Sequence, residues 1–267
     1  MLASQRQDLI LAQIKADGAV RVADLVESLD VSDMTVRRDI SELAQRGLVR
    51  RVHGGAVDSR PAALEPAFQA KRELAGEEKA AIAEAALELV EPGSAIALSA
   101  GSTTHLLARL IADSPAIRPL TVVTNSLPAA DALHRPDDHS LTVVLTGGTR
   151  TPSDALVGPL ATAALVSLRV DTAFLGVHGM DLEAGLTTPN LLEAETDRAL
   201  VAAASRVTVL ADHSKWGTVG LSRIVPLEQV DVLITDDGLP ADAARALREV
   251  VGTVRLAPRS RPATPTS

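Results

Sequence analysis

Five arginines fall between positions 34 and 53, at 37, 38, 46, 50 and 51, against only Asp39 and Glu42. A local excess of three positive charges suits phosphate. An arginine on an exposed helix face can also give two parallel hydrogen bonds to O6 and N7 of guanine. With Val36, Ile40 and Leu43 turned inward at helical spacing, Met34, Arg38, Ser41 and Gln45 share the opposite face, flanked by Thr35 and Arg37. Ser32 and Thr35 add hydroxyls that can hold phosphates or reach bases. Arg50, Arg51 and His53 form a second group, suited to the DNA backbone or minor groove.

A different chemistry gathers further on. Ser99-Ala100-Gly101-Ser102-Thr103-Thr104 follows an apolar run and opens a helical pattern. Free N–H groups at a helix start, with Ser and Thr hydroxyls beside them, suit a phosphate, and Gly101 lets the backbone come close. Four more loops follow apolar runs in the same way: Asn125-Ser126, Thr146-Gly147-Gly148, the stretch 176–181 with His178, and Asp212-His213-Ser214-Lys215. Each alone reads as a turn or cap. Ligands of α/β sheets sit beyond the carboxyl ends of strands, so five such loops could form one polar pocket.

Composition excludes several classes. The chain has no cysteine, so disulfides, thiolate metal sites and thiol nucleophiles are out. The six histidines show no metal-ligand spacing, and no metal or cofactor is expected. Aromatic residues make up only 1%, too few for a stacking platform for single-stranded nucleic acid. No signal-peptide pattern opens the sequence and no apolar run is long enough to span a bilayer, which points to a cytoplasmic protein. The formal net charge of −8 argues against nucleic acid if taken whole. Residues 1–57 are neutral, however, so the acidity belongs to the remainder and can be kept off DNA.

These groups need elements to position them. Helical patterns cover about 5–15, 22–29 and a third segment after Val31, with Ser32 as its N-cap. The second and third have helix-turn-helix spacing, and two short strands within 48–57 make a hairpin beside them. Residues 58–75 read as a linker. Beyond it, candidate strands at 95–98, 120–124, 141–145, 172–176, 206–210, 230–235 and 253–257 alternate with helical patterns around 78–90, 103–113, 127–134, 159–168, 193–204 and 241–250. The expected fold is α/β: a winged helix-turn-helix in 1–57, then a doubly wound, mostly parallel sheet in 76–257. The tail 258–267 is rich in Pro, Ser and Thr and is expected to be disordered.

At this point the chain resembles a known family. Residues 6–57 are similar to the N-terminal module of the DeoR/GlpR regulators, through Val31, Ser32, Thr35, Arg37, Arg38, Asp39 and Leu43 and through the closing Arg51 to Ala56. The segments AGSTT, VTNSL, TGGTR, ALVGP, VDTAFLGVHGMD, GLTTPNLLEAET and VLADHSKWG continue the likeness to about residue 257. The resemblance implies a sensor domain with the fold of ribose-5-phosphate isomerase and coenzyme A transferases, taking a phosphorylated sugar or polyol. It places Gly101 to Thr104 in a phosphate loop, Asn125 and Ser126 in a second loop, and Lys215 as a ligand-binding lysine. Glu193 lies where the isomerases carry a carboxylate. Two departures stand out: Ser99 occupies a position that is often Asp, and Gly176 replaces a catalytic carboxylate, so the pocket is expected to bind without turnover.

The resulting expectation is a transcriptional regulator of double-stranded operator DNA, a repressor relieved by a phosphorylated sugar. A single winged helix offers little contact area, so a homo-oligomer, dimer or tetramer, is expected through the C-terminal domain. The alternatives are a sugar-phosphate isomerase with an accessory DNA-binding head, using Glu193 and Lys215, and an architectural DNA binder with a vestigial pocket.

Overall fold

The computed structural model describes residues 3–17, 19–46, 48–52, 54–58, 75–135 and 137–258. The chain divides into two compact units, Met1–Leu64 and Glu65–Ser267. His53, most of the expected linker and most of the expected C-terminal tail lie outside the described residues.

The first unit runs α1 (Ala3–Asp17), β1 (Ala19–Arg21), α2 (Val22–Leu29), α3 (Asp33–Gln45), β2 (Val49–Val52) and β3 (Gly55–Asp58). Ile10 and Ile14 of α1, Leu25 of α2, and Val36, Ile40 and Leu43 of α3 close one small core. The helix-turn-helix corner is set by Asp30, which takes a left-handed conformation (φ 51°) at the end of α2, a conformation Asp tolerates better than most side chains. Ser32 then caps α3, its Oγ accepting the Thr35 N–H at 3.2 Å.

The wing holds one strand more than its sequence suggests. β1 pairs antiparallel with β3, giving the order β1-β3-β2. This pairing accounts for the second of two adjacent glycines. Gly54 turns with φ +80°, while a Cβ on Gly55 would lie 2.1 Å from the Val20 carbonyl oxygen, so β1 can approach only a glycine.

In the second unit a seven-stranded, fully parallel sheet forms the middle layer. It contains β4 (Ala95–Leu98), β5 (Leu120–Thr124), β6 (Leu141–Leu145), β9 (Val170–Gly176), β12 (Ala204–Leu210), β14 (Val232–Asp236) and β15 (Thr253–Ala257), in the order β15-β14-β12-β9-β4-β5-β6. Strands buried on both faces need apolar residues at every position. In β4, Ile96 and Leu98 enter one core and Ala97 the other. The first core is covered by α4 (Gly76–Leu87), α5 (Ser102–Ala112) and α6 (Leu127–Leu133). The second is covered by α7 (Pro159–Val166), α8 (Leu191–Ala203) and α9 (Ala241–Val250). With so few aromatics, Ala, Val, Leu and Ile fill both layers, and Phe174 is fully buried. The doubly wound α/β expectation therefore holds.

Two strands begin earlier than their apolar runs suggest, because Val170 and Ala204 pair with each other across the sheet. Two small antiparallel additions were not expected. β7 (Thr149–Arg150) pairs with β8 (Leu156–Val157). β10 (Gly179–Asp181), β11 (Gly185–Thr188) and β13 (Ser222–Arg223) form a sheet growing from the end of β9. No helix among the described residues is long and apolar enough to cross a membrane.

Candidate DNA-reading and ligand sites

On α3 the outward stripe is as its spacing requires. Met34 is 79% exposed, the Arg38 side chain is 81% exposed, and Gln45 is exposed. Ser41 is half-buried and its hydroxyl donates to the Arg37 carbonyl at 2.6 Å. The Ser32 and Thr35 hydroxyls share a hydrogen bond of 2.8 Å, so both belong to the helix cap as well as to the exposed face. Arg37 pairs with Asp33 one turn back and Arg38 with Glu42 one turn on. Arg50 and Arg51 are both exposed on β2, but successive strand residues point to opposite faces, so the two cannot address one surface together.

Behind α3 lies a polar tie that sequence reasoning missed. Asp39, nearly inaccessible, receives the guanidinium of Arg6 from α1 through two hydrogen bonds, one of them 3.1 Å. Gln7, also buried, donates to Asp39 at 3.3 Å and to Glu42 at 2.7 Å, and its own oxygen accepts from Arg46. The signal was present: Asp39 lies beside Ile40 and three residues after Val36, on the border of the buried stripe.

In the sheet unit the five polar loops all follow parallel strands, so all lie along one edge. Five adjacent strands cover about 19 Å at the usual spacing, wider than one small ligand. The strand order reverses between β4 and β9, the crevice where ligands of open α/β sheets collect. Here the loop after β4 meets the loop after β9: the Gly176 N–H donates to Ser99 Oγ at 2.9 Å, and a Cβ on Gly176 would come within 3.7 Å of Gly101 Cα.

Much of the expected polar set is engaged inside the protein. Asn125 Oδ1 accepts the Ala100 N–H at 2.9 Å and its Nδ2 donates to the Leu156 carbonyl. Ser126 caps α6 through the Ala129 N–H. Thr104 donates to the Gly101 carbonyl. Gly148 has φ +121° and packs so close to Val157 that a Cβ would lie 2.6 Å from its carbonyl oxygen, while Gly147 turns with φ +74°. Glu193 is held by hydroxyls: Thr151 at 3.2 Å and Ser153 on Oε1, and Thr188 at 3.0 Å on Oε2. His178 is half-buried in the β9–β10 connection. By contrast α5 opens at Gly101 without any side-chain cap, and Ser102 and Thr103 stand in its first turn.

A charged cluster lies along the same edge, after β12. Helices run back against their strands, so the first turn of α4 lies at the same edge as the strand ends. It carries Lys79, a lysine only 3% exposed. Asp212, following β12, is equally buried. Its burial pushes the carboxyl pKa up, but the charge of Lys215, the Ser214 hydroxyl, Lys79 and His213 together hold it below the ordinary value. Lys215 Nζ lies 3.8 Å from Asp212 Oδ2, an oxygen with no hydrogen bond among the described residues. Sequence reasoning missed Lys79, although it shares a helical stripe with the buried Ile82, Ala83 and Ala86. Trp216 follows Lys215 directly, is half-buried, and bridges to Met180.

Next to it, Asp236 at the end of β14 accepts from His213 N and His213 Nδ1, both at 2.7 Å, and from Gly238 N at 2.9 Å. Burial pushes this carboxyl up as well, and the His213 contacts and backbone N–H groups outweigh it and lower its pKa. A carboxyl depressed in the folded state stabilises above its unfolded pKa and loses that contribution as pH falls through the folded one. The urea midpoint of the sheet unit should therefore be insensitive to these groups at neutral pH and fall below about pH 4. Asp236→Asn should flatten that acid dependence; an unchanged pH profile would contradict the assignment.

Comparison with known proteins identifies both units. Residues 6–60 match the DeoR-like helix-turn-helix domain, and residues 75–237 match the DeoR C-terminal sensor domain. The chain is 38% identical over 248 residues to YgbI, an uncharacterized HTH-type transcriptional regulator of Escherichia coli (strain K12), covering 92% of this chain and 95% of that one. It is 32% identical to the L-fucose operon activator of Haemophilus influenzae (strain ATCC 51907 / DSM 11121 / KW20 / Rd), covering 88% and 92%. A D-ribose-5-phosphate isomerase in complex with phospho-erythronic acid is 20% identical with a TM-score of 0.40, covering 53% and 54%, a likeness too slight to bear on function. The two protein relatives are regulators rather than enzymes. With both halves matched in order by the family's own domains, the chain belongs to the DeoR family of DNA-binding transcriptional regulators.

Proposed function

We propose that this regulator represses a sugar or polyol catabolic operon, and that a phosphorylated sugar or polyol bound at the carboxyl edge of the sensor sheet relieves repression. The observation that carries this reading is the buried Lys79 held beside Asp212 at the edge where α5 begins uncapped. Backbone N–H groups of Gly101 to Thr104, the hydroxyls of Ser102 and Thr103, and the ammonium groups of Lys79 and Lys215 would bind the phosphate. His178 and His213 would meet the remainder of the ligand. Ser99, Asn125, Ser126, Gly147, Gly148 and Glu193 would shape the loops rather than touch it. The named operon of the Haemophilus relative supports the sugar class.

An effector changes operator occupancy only if it binds the free and DNA-bound states unequally. Two heads on two half-sites would supply that difference, so we take the working form to be a dimer or tetramer joined through the sensor units. Exposed Leu160, Val166 and Leu191 supply apolar surface for such contacts. The test is fluorescence anisotropy of an operator duplex titrated with a panel of sugar and polyol phosphates. One compound should release the DNA, and the unphosphorylated parent should not. If none changes operator affinity, the sensing role is wrong; if the compound tightens binding, the direction is reversed.

A further inference from the structure

Arg38 and Glu42 are spaced as an ordinary helical pair, and an exposed pair of that kind contributes little because both side chains move freely. This one differs in having a third member. Glu42 Oε1 accepts from Arg38 Nε at 3.1 Å while its Oε2 accepts from Gln7 Nε2 at 2.7 Å. Gln7 is itself buried and fixed by Asp39 and Arg46. The carboxylate is thus also held from behind by α1. The neighbouring Arg37–Asp33 pair has no such backing from another helix among the described residues.

We propose that Glu42, braced by Gln7, is a positioning residue that sets the plane of Arg38 for base recognition. An arginine bound through Nε keeps the opposite edge, with its two terminal nitrogens, free to donate two parallel hydrogen bonds. Guanine O6 and N7 demand that fork geometry. A brace fixes in advance rotamers that a free arginine would have to freeze on contact. The carboxylate also opposes phosphate, so it weakens attraction to DNA of any sequence while sharpening the choice among sequences. Glu42 stays ionised at working pH, because hydrogen bonds from Gln7 and then Arg38 lower its pKa.

The inference rests on Arg38 facing the bases, and the experiment separates the two claims. The full-length protein selects its preferred site from a randomised duplex library, and affinity is then measured for every single-base variant of that site. Arg38→Ala should flatten preference at one base pair by about five-fold or more. Glu42→Ala should flatten the same base pair by about three-fold, the size of one well-placed pair, and should raise affinity for random DNA. Gln7→Met should act at that base pair in the same direction. In the Arg38→Ala background, Glu42→Ala should add no further loss there. If Glu42→Ala or Gln7→Met scales all sequences equally while Arg38→Ala acts at one position, Arg38 reads DNA without the brace and the proposal fails. If Arg38→Ala acts at no particular position, the DNA-facing assignment fails first. Should Gln7→Met lower thermal stability, Glu42→Ala alone decides, since Glu42 lies at the helix surface.

Discussion

Replacing Asp39 with alanine is expected to cost the DNA-binding unit about 3 kcal/mol, the low end for breaking a buried ion pair. The loss arises less from the vanished bonds than from what remains. The Arg6 guanidinium, 11% exposed, would be left without its carboxylate, and Gln7 would lose one of its two acceptors. A unit of about 60 residues has a total stability of only about 3–9 kcal/mol. Much of the population should therefore unfold near physiological temperature. Chemical denaturation of the full-length protein should show the transition of the small unit shifted to lower urea while that of the sheet unit stays in place. Operator binding should fall with it, equally for all base variants, which separates this defect from that of Arg38→Ala. Pairing Asp39→Leu with Arg6→Met should restore much of the stability, because an apolar pair of similar volume needs no desolvation. If Asp39→Ala melts like the wild type, the tie between α1 and α3 has no energetic weight.

Lys79→Met should have the second large effect, split across two measurements. Stability of the sheet unit should fall by about 3 kcal/mol, because Asp212 would keep its buried charge with Lys215 as the remaining close ammonium group. Response of the operator complex to a sugar phosphate should also disappear. The double variant Lys79→Met/Asp212→Asn separates the two, since removing both charges should recover most of the stability without recovering the response. Recovery of both would mean that Lys79 serves the fold alone. Survival of ligand response in the single variant would shift the phosphate away from α4, toward Lys215 and the start of α5.

How much of this was legible in the sequence depends on the range of the interactions involved. Helix α3 could be read because Ser32, Val36, Ile40 and Leu43 act within a few turns of one another. The parallel strands could be read because burial on both faces leaves continuous apolar runs such as Ala95–Leu98. β1 was invisible: three residues carry no period, and the pairing that creates it joins Val20 to Ala56. The alternation of Arg50 and Arg51 was implied by placing both on one strand. The loops were found in the right places, but their internal use was not, since the bonds of Asn125 to Ala100 and Leu156 cross 25 and 31 positions. Glu193 illustrates the same limit: a carboxylate reads identically in sequence whether it faces a ligand or three hydroxyls. Lys79 could have been recognised from its helical stripe, had a charged residue on an alanine-rich face been taken as a signal.

Trp216 adds a practical consequence. The chain has one tryptophan and no tyrosine, so its intrinsic emission comes from a single indole adjoining Lys215. A ligand at the proposed phosphate site would change that indole's surroundings with no competing chromophore. The native protein would thus be its own optical probe, and a plain fluorescence titration would test the proposed binding there without label, DNA or engineered reporter.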